Sequence, residues 1–325
     1  MNTVESAELL DKSTFQNMPK RLAVAWSGGL DSTALLLLLK AQGFDVLAWH
    51  IDHGWTEQSA DQAKQLERQA MRWHIPFFTK RVEKPEQNLE AESRQLRYAA
   101  FAELADETGC LDLGLAHHQA DQVETVCMRL LQGSGVSGCQ GMRTHRKQGK
   151  LHLWRPLLQT TKEELAQHLQ RQGISWIEDP SNTDHNLWRN KIRHQLLPAM
   201  QVYDVDAAKL FLRLQVQATK LNETIQVLAS QVNITKEHMA GASCCRVNWL
   251  QWLQQEESVK VHLLQKMLGI LFADGKVLGR RHFVAIDAWR QHGANGWVSL
   301  SGCCLYRQGE YLYLCQGQKV VADSV

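Results

Sequence analysis

The residues best suited to chemistry form one short segment between an apolar run at residues 22–26, typical of a strand, and a leucine-rich stretch typical of a helix. Glycines allow close approach of backbone to phosphate oxygens, and a helix N-terminus offers unpaired N–H groups. Hydroxyl side chains add hydrogen bonds, and a carboxylate can hold Mg²⁺. The segment therefore predicts a phosphate-binding loop, with a plain capped glycine turn as the alternative. Its members are Ser27, Gly28, Gly29, Leu30, Asp31, Ser32 and Thr33.

Two other phosphate signatures can be excluded. The pattern Gly-x-x-x-x-Gly-Lys-Ser/Thr is missing, because Leu151 follows Gly149-Lys150 and Val277 follows Gly275-Lys276. Residues 133–138 do match Gly-x-Gly-x-x-Gly, but they follow a predicted helix and not a strand. We interpret them as a glycine-rich loop of the active site.

An acidic pair and a basic segment are the next candidates. Asp121 and Glu124 are three residues apart on a predicted helix, so their carboxylates share one face and could bind an amino group. A solvated helix face is the alternative.

Residues 140–200 hold ten Lys or Arg against five Asp or Glu. Arg189, Arg193 and Arg97 are our candidates for RNA or phosphate contacts, with a solvated surface again the alternative for each.

Histidines and cysteines do not predict a metal site. His50, His53, His117 and His118 could ligate a metal, but histidines at strand ends more simply donate hydrogen bonds or pack. The eight cysteines contain no Cys-x-x-Cys pair. We expect reduced, mostly buried thiols.

The elements that must position these residues alternate between strands and helices from residue 22 to 154, which predicts a parallel sheet covered on both faces. A capped helix follows at about 162–172. Further on, helices dominate until two apolar segments, 297–300 and 311–314, predict a β-hairpin with its turn at Gln308-Gly309. Tryptophans 249, 252, 289 and 297 are expected mainly in the core. We predict two domains, 1–200 and 201–325.

Composition places the chain among ordinary globular proteins. Hydrophobic residues make up 44%, charged residues 22%, and the net charge is +2. The longest apolar run, residues 34–39, is far shorter than a membrane span, and the N-terminus has no secretory pattern. We expect a cytoplasmic protein without a membrane partner.

The phosphate-binding segment resembles the SGGxDS signature of the N-type ATP pyrophosphatases, the PP-loop superfamily. Further blocks are similar to the tRNA(Ile)-lysidine synthetases and cover about residues 20–200. One position departs from the family, since Ala120 stands where Asp or Asn is usual. The similar blocks are His50-Ile-Asp-His-Gly54, Arg97-Tyr-Ala-Ala-Phe101, residues 117–125, the glycine-rich loop, Arg155-Pro-Leu-Leu158, Asp179-Pro-Ser-Asn182 and Arg189-Asn-Lys-Ile-Arg193.

This resemblance implies an α/β fold, a doubly wound parallel sheet of the adenine nucleotide alpha hydrolase type, followed by a mainly helical tRNA-binding domain. It implies a ligase that uses ATP with Mg²⁺ to adenylate C2 of the wobble cytidine in a CAU-anticodon tRNA(Ile). L-lysine then displaces AMP to give lysidine, which changes decoding from AUG to AUA and identity from Met to Ile. A homodimer is left open.

The resemblance also implies roles for individual residues. Catalysis is assigned to Asp31, Asp121 and Glu124, and lysine binding to the last two. The loop 27–33 and His50 would bind ATP, whereas Arg97, Arg189, Asn190 and Arg193 would contact tRNA or phosphate.

Two competing functions are carried alongside. A PP-loop tRNA thiolase would adenylate RNA but transfer sulfur, and the absence of Cys-x-x-Cys argues against its cluster-dependent kind. A non-catalytic nucleotide- or RNA-binding module would release no pyrophosphate and would leave the acidic pair unexplained.

Overall fold

The computed structural model describes residues 9–54, 59–83, 89–177, 188–239, 241–272, 278–300 and 302–317. The chain divides into two compact units, residues 1–216 and 217–325. The functional domains predicted on either side of residue 200 stay a prediction. The predicted loop motif at 179–182 lies outside the described residues, as does Asn88, which the sequence predicts as the cap of the helix that follows it.

The first unit consists of a six-stranded sheet and its helices. Its strands are β1 (Arg21–Ala25), β2 (Asp45–Asp52), β3 (Phe77–Arg81), β4 (Asp112–Gly114), β5 (His145–Gln148) and β6 (Leu151–Trp154). Its helices are α1 (Lys12–Asn17), α2 (Leu30–Ala41), α3 (Ser59–Arg72), α4 (Leu89–Thr108), α5 (Gln119–Leu131), α6 (Lys162–Arg171), α7 (Trp188–Lys191) and α8 (Leu197–Val202). A 3₁₀ turn lies at Gly138–Gln140 and a π-helical turn at Ile192–Leu196.

The predicted parallel sheet is confirmed, with strand order β3-β2-β1-β4-β6-β5. All pairings are parallel except that of β5 with β6. Side chains alternate between two cores: Leu22 and Val24 pack in the core with α2, whereas Ala23 packs in the core with α4. The strand order reverses between β1 and β4, and in such sheets ligands bind beyond the carboxyl ends of the strands at this point.

The helix after α7 has a local irregularity with a clear cause. Leu197 N–H bonds to the carbonyl of Ile192, five residues back, in the turn before Pro198. Proline has no N–H and crowds the preceding turn, so the regular bonding pattern cannot continue there. Turns of this kind occur often at functional sites.

The helix α9 (Ala207–Ser230) contains the boundary between the units. The second unit contains a five-stranded antiparallel sheet in the order β7-β8-β11-β10-β9, and helices α10–α12 pack against it. Its strands are β7 (Thr235–Met239), β8 (Ala242–Asn248), β9 (Trp297–Leu300), β10 (Cys303–Gln308) and β11 (Tyr311–Gln316). Its helices α10–α12 are Trp249–Leu253, Glu257–Leu271 and Arg280–Gln291.

The structure corrects the predicted C-terminal hairpin. The turn at Gln308-Gly309 is present, but it joins β10 to β11, and β9 pairs with the far edge of β10. The sequence analysis missed β10 because Cys303 to Tyr306 is a continuous apolar run without the alternation of a half-buried strand. Tryptophans 249, 252 and 289 are confirmed in the core, whereas Trp297 is exposed.

The expectation of reduced thiols is wrong for one pair. Cys244 and Cys315 face each other across β8 and β11 and form a disulfide. Register, not spacing along the chain, brings them together, so no short Cys-x-x-Cys pattern could have revealed the pair. Among the described residues, the remaining six cysteines are buried thiols.

No helix in the described part of the chain is long and apolar enough to span a membrane.

Candidate active site

The loop 27–33 follows β1 and leads into α2, as predicted. Gly28 has φ +82°, a conformation that favours glycine. Its carbonyl accepts a hydrogen bond from the Ile177 N–H at 2.9 Å. A Cβ at this position would lie 2.7 Å from Leu66 Cδ2 and 2.9 Å from Ile177 Cδ1. The backbone conformation therefore favours glycine at position 28, and an added Cβ would also displace the ends of the Leu66 and Ile177 side chains.

Hydroxyl groups hold the loop in shape. Ser32 Oγ accepts from the Ser27 N–H at 3.2 Å and donates to the Gly29 carbonyl at 3.1 Å. The hydroxyls of Ser27 and Ser32 are 3.1 Å apart. Thr33 Oγ1 accepts from Trp26 Nε1 at 3.0 Å and is fully buried, so Thr33 fastens α2 to the end of β1.

Asp31 has the chemistry of a cation ligand. Its Oδ1 is buried and has no hydrogen-bond partner among the described residues. Burial raises the pKa of Asp31, although the neighbouring His118 opposes this shift. A buried carboxylate oxygen without a partner costs free energy, and a hard cation would remove that cost. The residue present therefore fits the Mg²⁺ that the sequence analysis expects.

The acidic pair on α5 is enclosed by two arginines. Glu124, only 1% exposed, accepts from Arg189 Nε at 2.6 Å and from Arg193 Nε at 2.5 Å. Asp121 Oδ1 accepts from an Arg189 guanidinium nitrogen at 2.9 Å. The prediction that both carboxylates share a helix face is confirmed by these common partners. The structure thus unites four of the predicted site residues in one charged cluster.

Packing explains why the arginines reach this face. Val123 and Val126 of α5 lie in one apolar core with Ile192, which is in the π-helical turn. Arg189 and Arg193 are four residues apart along the helical segment, so both can point at the same carboxylate.

Neighbouring charges favour the ionised forms of Asp121 and Arg193. Burial opposes the charge on Asp121, but His118 and Arg189 outweigh it and hold the pKa of Asp121 below its usual range. Burial likewise lowers the pKa of Arg193, yet bonding to Glu124 outweighs this and raises it overall. Ion pairs formed away from water are strong but leave a high cost if one partner is removed.

His118 connects the charged cluster with the loop 27–33. Its Nε2 lies 3.7 Å from Asp31 Oδ2 and 3.7 Å from Asp121 Oδ2. Its Nδ1 accepts from the Ala120 N–H at 3.2 Å, and its own N–H donates to Asp121 at 3.0 Å. In the sequence, His118 is only one of four candidate histidines. Its position directly before α5 was the signal for a helix cap.

A second site residue that is not evident from the sequence is Gln122, which fixes the short loop at Gly141 and Met142, just after the glycine-rich loop 133–138. Its side chain donates to the Met142 carbonyl at 3.0 Å and accepts from the Met142 N–H at 2.7 Å. Gly141 has φ +69° and passes so close that a Cβ would lie 2.5 Å from Gln122 Oε1. The helix that carries the acidic pair therefore also holds this loop.

The other predicted site residues have different surroundings. His50 is buried with Nδ1 3.0 Å from the Trp26 carbonyl, and burial lowers its pKa. Burial also lowers the pKa of Arg97, on α4. Asn190 is buried on α7, between the two arginines in sequence. None of these contacts assigns them a ligand.

Arg155 is the most deeply buried cation in this region, at 3% exposure. It donates to His117 Nδ1 at 3.2 Å and to the Arg143 carbonyl at 2.9 Å. Burial lowers the pKa of His117 to about 3, so the ring is neutral near pH 7.

Among the described residues, no group of three His, Cys, Asp or Glu side chains could hold a metal ion.

Comparison with known proteins identifies the family. The model of the PP-loop domain matches residues 2–200, more than half of the chain. The chain belongs to the PP-loop family. A tRNA(Ile)-lysidine synthase of Chlamydia pneumoniae is 36% identical over 65% of this chain and 67% of its own length. One of Pseudomonas fluorescens is 41% identical over 54% of this chain and 41% of its own.

For several of the curated relatives, the match covers only about two fifths to three fifths of their own length. Among solved structures, a U34-tRNA thiolase from Methanococcus maripaludis has a TM-score of 0.53 at 14% identity, covering 68% of this chain and 78% of that one. That likeness concerns the fold alone.

Proposed function

We propose that this protein is an ATP-dependent ligase that attaches L-lysine to C2 of the wobble cytidine in a CAU-anticodon tRNA(Ile). The proposal is supported above all by one juxtaposition: the phosphate-type loop with Asp31 lies beside the cluster of Asp121, Glu124 and two arginines, with His118 between them. Relatives named tRNA(Ile)-lysidine synthase match the same part of the chain.

In the first step, the C2 oxygen of cytidine attacks the α-phosphorus of ATP, and pyrophosphate leaves. The backbone of loop 27–33 and the N-terminus of α2 would bind phosphate oxygens. Asp31 would hold Mg²⁺, which spreads phosphate charge when bound. Ser27 and Ser32 keep the loop in shape, and Thr33 does so from the buried side. His50 is proposed to contribute to ATP binding.

In the second step, the ε-nitrogen of lysine forms a bond to C2, the C2–oxygen bond breaks, and AMP leaves. The ammonium must lose a proton, which one carboxylate of the pair Asp121 and Glu124 would accept, before its nitrogen can attack. Asp121 and Glu124 would bind lysine's amino groups, and Asp121 is the more accessible, at 14% side-chain exposure against 1%. Glu124 would act mainly by holding the arginines beside the substrate.

The arginines give this site a second use. Arg189 and Arg193 are each about one third exposed, so their guanidinium groups reach solvent while bound to the carboxylates. Lysine's ammonium competes with them for Asp121, and an arginine released in this way could bind a phosphate of ATP or tRNA. Arg97 and Asn190 are proposed as further RNA contacts, and the second unit as a tRNA-binding domain.

The test is incorporation of radiolabelled lysine into a CAU-anticodon isoleucine tRNA transcript, with and without ATP, following AMP and pyrophosphate in parallel. We expect ATP-dependent incorporation with one AMP for each lysine. AMP formation without lysine incorporation would contradict the nucleophile and favour sulfur transfer, as in a tRNA thiolase. If neither product forms, the protein is a binding module and the proposal is wrong.

A further inference from the structure

The contacts of His118 lead to a role that the proposed function alone does not require. This residue caps α5, and its side chain is buried between two carboxylates that belong to different halves of the reaction. Asp31 lies in the first turn of α2, which follows β1, whereas Asp121 lies in the first turn of α5, which follows β4. Because β1 and β4 are neighbours at the reversal of strand order, the His118 side chain can lie near both carboxylates.

The helix cap fixes the proton on the ring. A backbone N–H can only donate, so Nδ1 of His118 accepts the bond from Ala120 and carries no proton. Nε2, the other ring nitrogen, is therefore the one that carries a proton, and it faces the two carboxylates. Adding a proton to Nδ1 would break the cap bond, which stabilises the helix start.

One donor faces two acceptors at the same distance. Nε2 is 3.7 Å from Asp31 Oδ2 and from Asp121 Oδ2, which is longer than a hydrogen bond in both directions. A small movement toward one carboxylate forms a bond there and lengthens the distance to the other. The single N–H can thus serve only one of them at a time.

We propose that His118 is a positioning residue whose single N–H couples Asp31 to Asp121. When Mg²⁺ with nucleotide occupies Asp31, the donor is free to bond Asp121 and orient it for the amine. When the donor is bonded to Asp121, with the amine at the other oxygen of that carboxylate, it no longer competes with the cation at Asp31. Coupling between sites is reciprocal, so each ligand should favour the other. The inference rests on the proposed function, because that function assigns ligands to the two carboxylates.

The experiment is a double-mutant cycle on nucleotide binding. The dissociation constant of the non-cleavable analogue α,β-methylene-ATP, with Mg²⁺, is measured by calorimetry in the wild type, Asp121→Asn, His118→Ser and the double variant. Serine keeps a cap acceptor for the Ala120 N–H but cannot reach either carboxylate. We expect Asp121→Asn to weaken binding about fivefold in the wild-type background and less than twofold in the His118→Ser background.

Controls separate coupling from general damage. The same cycle with His145→Asn, at a histidine that packs against His152 and Trp154, should leave the fivefold effect in place. Thermal unfolding reports whether His118→Ser is folded, and His118→Asn, which also keeps a cap acceptor, replaces it if it is not. Equal effects of Asp121→Asn in both backgrounds would overturn the inference.

The cycle can fail without the ligase failing. The wild type could incorporate lysine while Asp121→Asn weakens nucleotide binding equally with and without His118→Ser. That result would contradict the coupling and leave the proposed function intact. If the wild type does not bind the Mg²⁺-loaded analogue, the proposed function is contradicted, and the coupling with it.

Discussion

Each compact unit contains a glutamate bound by two cationic side chains, but the two glutamates differ in burial. Glu124 in the first unit is 1% exposed and binds Arg189 and Arg193. Glu257 in the second unit is 60% exposed and binds Lys260 and Arg290 at similar distances. Distance alone therefore does not distinguish the two clusters.

Burial changes what such a cluster does. At the surface, water screens the charges, and an ion pair contributes little. In the interior, the charges interact strongly but have lost their hydration, so the net gain in stability is small and the arrangement is costly to disturb. A buried ion pair is therefore weak evidence for stability. The difference in burial favours the Glu124 cluster over the Glu257 cluster as the candidate site.

The largest expected effect is on the rate of pyrophosphate release, when a partly buried carboxylate of the site is removed and compared with an exposed one. Asp31→Ala should lower ATP-dependent release of pyrophosphate by at least about 10³-fold, because it removes the proposed cation ligand. The matched control is Asp45→Ala, which removes an exposed carboxylate 3.5 Å from Arg21 and should leave the rate unchanged. Steady-state pyrophosphate release with tRNA and ATP measures both. Retained turnover in Asp31→Ala would refute the assignment of this loop.

The next effect compares the two glutamates directly. Glu124→Gln should lower the free energy of unfolding by about 3 kcal/mol, because two guanidinium groups lose their carboxylate in a largely dry setting. Glu257→Gln should cost less than about 1 kcal/mol. Urea unfolding of both variants is the measurement. Equal losses would show that burial does not separate the clusters.

Glu124→Gln should also affect the reaction selectively. We expect the KM for lysine to rise more than the KM for ATP, because the arginines and Asp121 lose their common anchor. Equal changes in the two KM values would assign Glu124 to ATP binding instead.

Glycines give a matched pair with the same backbone angle. Gly28 and Gly241 both have φ +82°, but a Cβ at Gly28 would meet Leu66 and Ile177, whereas at Gly241 it would meet nothing within 4 Å. Alanine costs about 1–2 kcal/mol at either site through its conformation. Gly28→Ala should lose about 2 kcal/mol more, through overpacking. Thermal unfolding measures the difference, and equal losses would mean that the loop adapts.

The smallest effect concerns pH. The pKa of His117 is about 3 in the folded protein and about 6.5 when unfolded. Its contribution to the free energy of unfolding is therefore complete above pH 6.5 and falls as the pH decreases toward 3. Between pH 7 and pH 5 this residue should account for up to about 2 kcal/mol of lost stability. His117→Asn should remove that part of the pH dependence, whereas the exposed His238→Asn in the second unit should not. Urea unfolding at the two pH values tests both.

The two units also differ in how much of their structure could be predicted from the sequence. In the first unit, strands and helices alternate with strong periodicity, so the parallel sheet, the loop 27–33 and the shared face of Asp121 and Glu124 were all predictable. In the second unit, β7, β8 and β10 were missed, because antiparallel neighbours are set by register and the apolar run at β10 has no alternation. The Cys244–Cys315 bond depends on the same register.

Within the site, residue types were predictable but partners were not. Arg189 and Arg193 follow Glu124 by 65 and 69 residues. Only packing of the segment around Ile192 against α5 brings them together. The partners of His118 and Gln122 are also distant in sequence: His118 lies near Asp31, and Gln122 bonds to Met142. Pairing across such separations leaves no local pattern in one sequence.

The central claim is that one cluster at the β1–β4 reversal performs both steps of the reaction, with Asp31 for the first and Asp121 for the second. The most direct test is the ratio of lysidine formed to pyrophosphate released by Asp121→Asn, measured with ATP, lysine and the CAU-anticodon transcript. We predict that pyrophosphate is still released while lysidine formation falls at least about tenfold further. A ratio equal to that of the wild type, with both products reduced together, would contradict the division of labour between the two carboxylates.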